Sequence, residues 1–250
     1  MTVVRALTSV QRLSWVVKMM LFTKSCLQAI NDWQRGGNHK QKVKRGENLK
    51  KESLVLPDEF RVCDVCCYRQ EANQKDRVWQ LLADNKLSET IASWTTDISV
   101  AKAFKGGVPP QDLIGVIFSI KPPAASVILN LSAVYDSKEF RSAVDKFRNE
   151  IDRFHDGIGK YENSQLEVVL ELESLTKAQV LSYGGYSSSR DRLRIDGRIP
   201  TQEELAEFDA LCVEAGISLG PWWLSAEGTQ KVLSRMDPHI TRLKAKGPKS

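Results

Sequence analysis

Gln165 and Glu167 stand two residues apart in the run QLEVVLELE. On an extended strand their side chains therefore point the same way. An anion beside a carboxamide pairs a fixed charge with a group that both donates and accepts hydrogen bonds. Leu166, Val168, Leu170 and Leu172 take the opposite face, so the polar pair is expected to look onto a groove or onto water. Ser93, Trp94 and Thr95 directly precede the short amphipathic run ISVAKAF. Hydroxyls beside a large aromatic ring suit a strand end, a helix cap or the wall of a ligand cleft, and local pattern does not choose among these. Arg69 closes the strand-like run FRVCDVCCYRQ with a permanently charged planar fork. Cys63-x-x-Cys66-Cys67 has metal-binding residue types, but Val62, Val65 and Tyr68 around it read as a buried strand, where small thiols are common. No second Cys-x-x-Cys follows, and His39, His155 and His239 stand apart, so no metal site is expected.

The elements that must position these groups begin with an unusual N-terminus. The first 31 residues contain no acid. Ala6, Leu7, Val10, Leu13, Val17, Met20 and Leu21 recur there at helical spacing among Arg5, Arg12 and Lys18. Residues 1–34 are expected as an amphipathic helical segment docked on the main domain, and the same pattern is compatible with a transit peptide or a membrane-surface helix. The basic residues interrupt every apolar window, which excludes a transmembrane span, and no small-x-small cleavage site suggests secretion. Residues 35–51 carry seven Lys or Arg against the single acid Glu47. Residues 35–56 therefore read as a solvated basic linker. Counterion release would reward this cluster on a nucleic acid, although no aromatic ring is interleaved to stack on bases. The tail from Arg242 to Lys249 is similarly basic.

Beyond the linker, strand-like runs alternate with helices. VWQLLADNKL reads as a helix, and Asp97 as the cap of ISVAKAF, with Ile98, Ala101 and Phe104 sharing a face. Lys105-Gly106-Gly107 and Pro109-Pro110 stop that helix, and DLIGVIFSI and SVILNLSA are apolar strands divided by Pro122-Pro123. Phe140, Val144, Phe147, Ile151 and Phe154 predict a core-facing helix between Asp136 and His155. Near the C-terminus, Thr201 and Glu204 form a capping-box pattern ahead of Leu205, Phe208, Leu211 and Cys212, with Gly216 as the stop. GPWWLSAEGTQKVLSRM predicts a further helix ended by Pro238, and Trp222-Trp223 reads as core or as a partner anchor. A hydrophobic content of 42% over 250 residues suffices for one substantial core and a smaller appendage. Five scattered cysteines fit a reducing compartment, with cytoplasm, of the producing or a host cell, as the default.

In order, Tyr68-Arg69, then Ser93-Trp94-Thr95 before a Val-Ala-Lys-x-Phe helix, then Gln165-Leu166-Glu167 and a final strand AQVLSY resemble the mono-ADP-ribosyltransferase family. The resemblance spans residues 57–185, about half the chain. It implies an α+β fold with a split β-sandwich core over residues 57–186, flanked by the N-terminal helical segment and a small helical appendage over 187–250. It also implies NAD as co-substrate, no metal, and transfer of ADP-ribose to a macromolecule. Under it, Glu167 is the catalytic anion that stabilises an oxocarbenium-like ribose, and Ser93 holds that carboxylate. Arg69 binds the pyrophosphate and neighbouring ribose, where a planar fork outperforms lysine. Tyr68, Trp94 and Thr95 line the NAD cleft beside Ser93.

The same resemblance implies that Gln165 takes the acceptor position, where an amide points away from arginine as the modified residue, and that Tyr161 is the aromatic on the acceptor-contacting loop. A protein acceptor is implied first, and the basic segment 35–51 leaves room for a nucleic-acid one. Such enzymes include toxins and effectors that modify host proteins. Two departures from the family pattern stand out: Gln70 where many relatives have Gly, and Trp94 in the middle of the Ser-Thr-Ser segment. They motivate two alternatives, an inactive interaction module with the same fold and an NAD glycohydrolase. Gly-x-Gly-x-x-Gly, a P-loop and His-Glu-x-x-His are absent from the sequence, which argues against Rossmann dehydrogenases, P-loop NTPases and zinc proteases.

Overall fold

Thr23 and Asn38 each set the start of a helix in a computed structural model of the chain, which describes residues 21–104, 113–186, 193, 195–217 and 222–247. The run from Ala6 to Met20 and the stop signals Lys105 to Pro110 lie outside the described residues. The chain divides into two units: Met1–Cys63, Ile91–Ser93 and Pro123–Glu171 form the first, and Asp64–Thr90, Trp94–Pro122 and Leu172–Ser250 the second. Both mix helix with antiparallel sheet, an α+β composition.

In the first unit, helix α1 (Lys24–Gln34) is capped by the Thr23 hydroxyl, which accepts from the Cys26 amide at 3.2 Å. Cys26, Leu27, Ile30 and Trp33 recur three and four apart and are buried. Helix α2 (His39–Ser53) occupies the stretch whose charge reads as a linker. An Asn38/Gln41 capping box starts it, and a buried line of Gly46, Leu49 and Ser53 attaches it to α1. That narrow line is almost hidden among lysines, which explains why charge density masked a helix. Gly46 is the close-approach point: a Cβ there would lie 3.0 Å from Ile91 Cγ2 and 3.2 Å from Trp33 Cζ3.

Strand β1 belongs to the second unit and runs Cys67–Gln74, followed by helix α3 (Lys75–Asp84). Strand β2 (Ile91–Thr95) gives its first three residues to the first unit and its last two to the second. Helix α4 (Ile98–Ala103) follows Asp97, whose carboxylate accepts the Ser99 amide at 2.7 Å. Only Ala101 of its expected apolar face is buried; Ile98 and Phe104 are exposed. Strand β3 (Leu113–Ile120) comes next in the second unit.

In the first unit, strand β4 (Val127–Asn130) ends earlier than its apolar run suggests, because the Asn130 side chain caps helix α5 (Leu131–Asp136) by accepting from the Ala133 amide at 3.2 Å. Ser137 then caps helix α6 (Lys138–Phe147), which is shorter than the predicted helix to His155. Arg153 in a left-handed conformation and two 3-10 turns break the remainder before helix α7 (Ile158–Tyr161). Strand β5 (Glu167–Glu171) lies between β4 and the first part of β2. Phe22, Leu27, Ile30, Leu49, Leu129, Phe140 and Val169 belong to the core beneath these elements, with Phe22 edge-on to both Phe60 and Phe140 at 5.3 Å.

The second unit is built on β1 and β3, antiparallel from Cys67↔Ile120 to Gln74↔Leu113, with strand β6 (Gln179–Tyr186) on the other edge of β3. Helix α8 (Gln202–Glu214) starts at the Thr201/Glu204 capping box. Of its expected inward residues Cys212 is buried, whereas Leu211 is 63% exposed. Strand β7 (Trp222–Trp223) pairs with β6 through Gly184, whose φ of +137° suits a residue without a side chain. Helix α9 (Ala226–Ala245) packs on α3 and β6.

Three local expectations need correction. The first strand starts at Cys67 and continues past Arg69 to Gln74, and Val62 and Val65 are both 51% exposed rather than buried. Pro238 lies inside α9 instead of ending it. The helix survives because Pro238 and Ser234, the residue whose carbonyl loses its partner, are both exposed to water.

Candidate functional site

Leu166 adopts φ +44°, a left-handed conformation that a branched residue reaches only under constraint. The kink detaches Gln165 from β5, so Glu167 is the first strand residue. Glu167 is 5% exposed and Val169 fully buried, which overturns the half-solvated strand suggested by alternation. The three consecutive apolar residues Val168-Val169-Leu170 are the signal for a strand covered on both faces.

Two donors converge on one oxygen of Glu167. The Ser93 hydroxyl on β2 donates to Oε1. The Trp33 indole donates to the same Oε1 from α1, Nε1 to oxygen 2.7 Å. Trp33 is itself 8% exposed, and nothing local in the sequence marks an indole as the partner of a carboxylate 134 residues away. Its neighbour Gln34 accepts from the Tyr135 hydroxyl at 2.8 Å. Burial pushes that hydroxyl above its ordinary range; the Gln34 acceptor opposes the shift, and the charges of Glu167 and Glu162 add to it.

Helix α1 also holds the segment leading to Tyr161 and Gln165. Asn31, fully buried, donates from Nδ2 to the Asp152 carbonyl at 2.9 Å and accepts the Ile158 amide at 3.0 Å. The Asp152 amide donates to Gln28 Oε1 at 2.8 Å. Tyr161 ends α7, its carbonyl accepting the Ser164 amide at 3.0 Å. Glu162, at φ +46°, and Leu166 bracket the residues 163–165 between two non-glycine positions of positive φ. Such positions cost about 1–3 kcal/mol each and tend to collect at functional sites. Gln165 and Tyr161 are half-buried on this loop.

Arg69 and Tyr68 belong to the second unit. Arg69 Nε donates to Glu71 Oε1 at 2.6 Å, and its terminal nitrogen lies 3.7 Å from Glu89 Oε2. All three side chains are no more than 16% exposed. Residues 69 and 71 share a face of β1, so the first pair is legible as Arg-x-Glu on a strand, whereas Glu89 carries no such signal. Tyr68 registers with Thr95 and Ser119. Thr95 Oγ1 accepts the Asp97 amide at 3.1 Å, so this hydroxyl serves the turn into α4. Trp94 points to the other face of β2 and is 2% exposed, packed as a core residue. With its amide turned to satisfy its neighbours, Gln70 donates to the carbonyls of Ala101 at 2.8 Å and Phe104 at 3.2 Å, tying β1 to α4.

Elsewhere in the first unit, a cleft of about 330 Å³ includes Lys50, Asp58, Arg61 and Glu171 in its lining. Its charges are matched internally, Lys50 with Glu171 at 2.8 Å and Arg61 with Asp58 at 3.0 Å, so it adds no unbalanced group to the chemistry. Among the described residues no group of three His, Cys, Asp or Glu side chains gathers as a metal site, and no helix is long and apolar enough to cross a membrane. Cys66 is exposed, whereas Cys67 is buried. The chain matches no family model, no curated protein and no solved structure.

Proposed function

We propose that the chain cleaves NAD and transfers ADP-ribose to a macromolecular acceptor, a protein side chain other than arginine in the first instance, on an ADP-ribosyltransferase-like split β-sandwich. The observation that carries this reading is the buried Glu167 carboxylate held by the Ser93 hydroxyl, the pairing that the resemblance assigns to the catalytic anion and the group that orients it. The indole N–H of Trp33 and the hydroxyl of Ser93 are uncharged donors that fix the position of the carboxylate. Pre-organised charge of this kind favours a transition state in which positive charge develops. In the reaction the bond from ribose C1′ to nicotinamide breaks and its electron pair leaves with the nicotinamide. Glu167 stabilises the cationic sugar, and the acceptor atom bonds to C1′ and gives up its proton to water. Gln165, on the constrained loop ahead of β5, places the acceptor with Tyr161. Arg69, and with it Tyr68, Trp94 and Thr95, are assigned to NAD by the resemblance alone.

Incubation of the purified chain with labelled NAD and whole-cell extract tests the proposal. Labelled macromolecule is the expected result, free ADP-ribose would make it a glycohydrolase, and neither would leave a module without catalysis. That last reading has its own support: Arg69 is already matched by Glu71 and Glu89, and Trp94 is packed into the core. Loss of labelling in Glu167→Ala separates genuine catalysis from a contaminant.

A further inference from the structure

Helix α9 turns a buried line of Thr229 and Ile240 toward the second unit. At 100° per residue, Lys231, Arg235, Pro238, Arg242 and Lys246 fall on one stripe opposite that line. All five are exposed. Successive cations are four, seven and four residues apart, so the stripe rises by about 6, 10.5 and 6 Å, or about 22 Å in all. A DNA duplex presents about a dozen phosphate charges over that length. The acid nearest the stripe is Glu227, which pairs with Lys231 at 2.6 Å. Both side chains are at least 74% exposed, and a pair so hydrated yields readily to a competing anion. Asp237 falls off the stripe. Pro238 at its centre is small and needs no amide partner, and its carbonyl accepts Arg242 Nε at 3.3 Å.

We infer that this outward face of α9 is a nucleic-acid-binding surface that grips the phosphate backbone. A lipid surface fits less well, because the apolar residues of α9 face the interior of its own unit and leave no side to enter an acyl boundary. The inference does not rest on NAD chemistry, and its test contains no NAD, so the two readings fail separately.

The test is fluorescence anisotropy of the full chain with a labelled oligonucleotide of about twenty residues, single-stranded and as a duplex, between about 50 and 200 mM salt. Four phosphate contacts predict a log–log salt slope of about −3.6 on the duplex. Arg235→Glu combined with Arg242→Glu alters solvent-facing positions only. It is expected to weaken binding by roughly tenfold or more and to halve the slope. Lys40→Glu with Lys44→Glu on α2 is expected to leave both unchanged. Absence of binding, binding indifferent to the α9 charge reversals in a variant whose melting curve is intact, or preference for vesicles containing phosphatidylserine would overturn the inference.

Discussion

Glu167 and Arg69 are both sequestered charges, but they are satisfied in different ways. Trp33 and Ser93 bring neutral dipoles to the carboxylate, whereas Glu71 and Glu89 bring opposite charges to the guanidinium. Neutral donors fix a group while leaving its charge to act on something else; carboxylates cancel a cation's charge as they fix it. Glu167 thus accepts hydrogen bonds from two uncharged groups, whereas Arg69 takes part in an ion-pair cluster within its own unit.

The sharpest way to break this contrast is Arg69→Ala, which strands Glu71 and Glu89 without their shared cation. The expected loss is about 3 kcal/mol of unfolding free energy, measured by urea denaturation. A stability unchanged within error would mean that the ion pair is ornamental and that Arg69 is held for another purpose.

The packing under α1 is probed by alkali. Burial, with a smaller contribution from Glu52, pushes the Cys26 thiol up to about 12. A raised folded value means that the native state keeps its proton longer than the unfolded chain. Stability is therefore complete below about pH 9 and falls as pH rises from there toward 12. Cys26→Ala should flatten the decline by on the order of a few kcal/mol, read from melting temperatures across that range. The buried Cys26, Cys67 and Cys212 should also resist a thiol reagent that labels Cys66 in the native protein.

Smaller effects sharpen the contrast at the carboxylate itself. Trp33→Phe keeps the ring and removes the N–H, so NAD cleavage should drop by roughly tenfold in kcat with little change in KM. An equal loss in Ser93→Ala would assign the two donors similar weight. Gly46→Ala should perturb the same site indirectly, since the new methyl must displace Ile91 or the Trp33 ring; about 1–3 kcal/mol of destabilisation is expected. Thr201→Ala, in the second unit, should cost only about 1 kcal/mol through the lost α8 cap.

Much of the local structure was legible because its causes are local. Asp97, Thr201 with Glu204, and the β3 and β6 runs announce their caps and strands in a few residues. Ser93 could be matched to Glu167 through a resemblance in chain order, without any local clue that their strands lie side by side. What escaped notice depends on partners distant in sequence. Helix α2 shows only Gly46, Leu49 and Ser53 to its neighbours, too thin a stripe to register among so many lysines. Pro238 is harmless only because its turn faces water. Trp33 gains its role from an oxygen on another element, and the left-handed Leu166 that frees Gln165 from β5 has no glycine to advertise it.

Release of nicotinamide from NAD by the intact chain and by Glu167→Gln is the most direct measurement. The substitution is nearly isosteric and removes the negative charge while leaving an oxygen to accept from Trp33 and Ser93. A fall of about a hundredfold or more, with the melting temperature preserved, is the predicted result. Equal rates in the two proteins, or no nicotinamide release by the unaltered chain, would contradict the assignment.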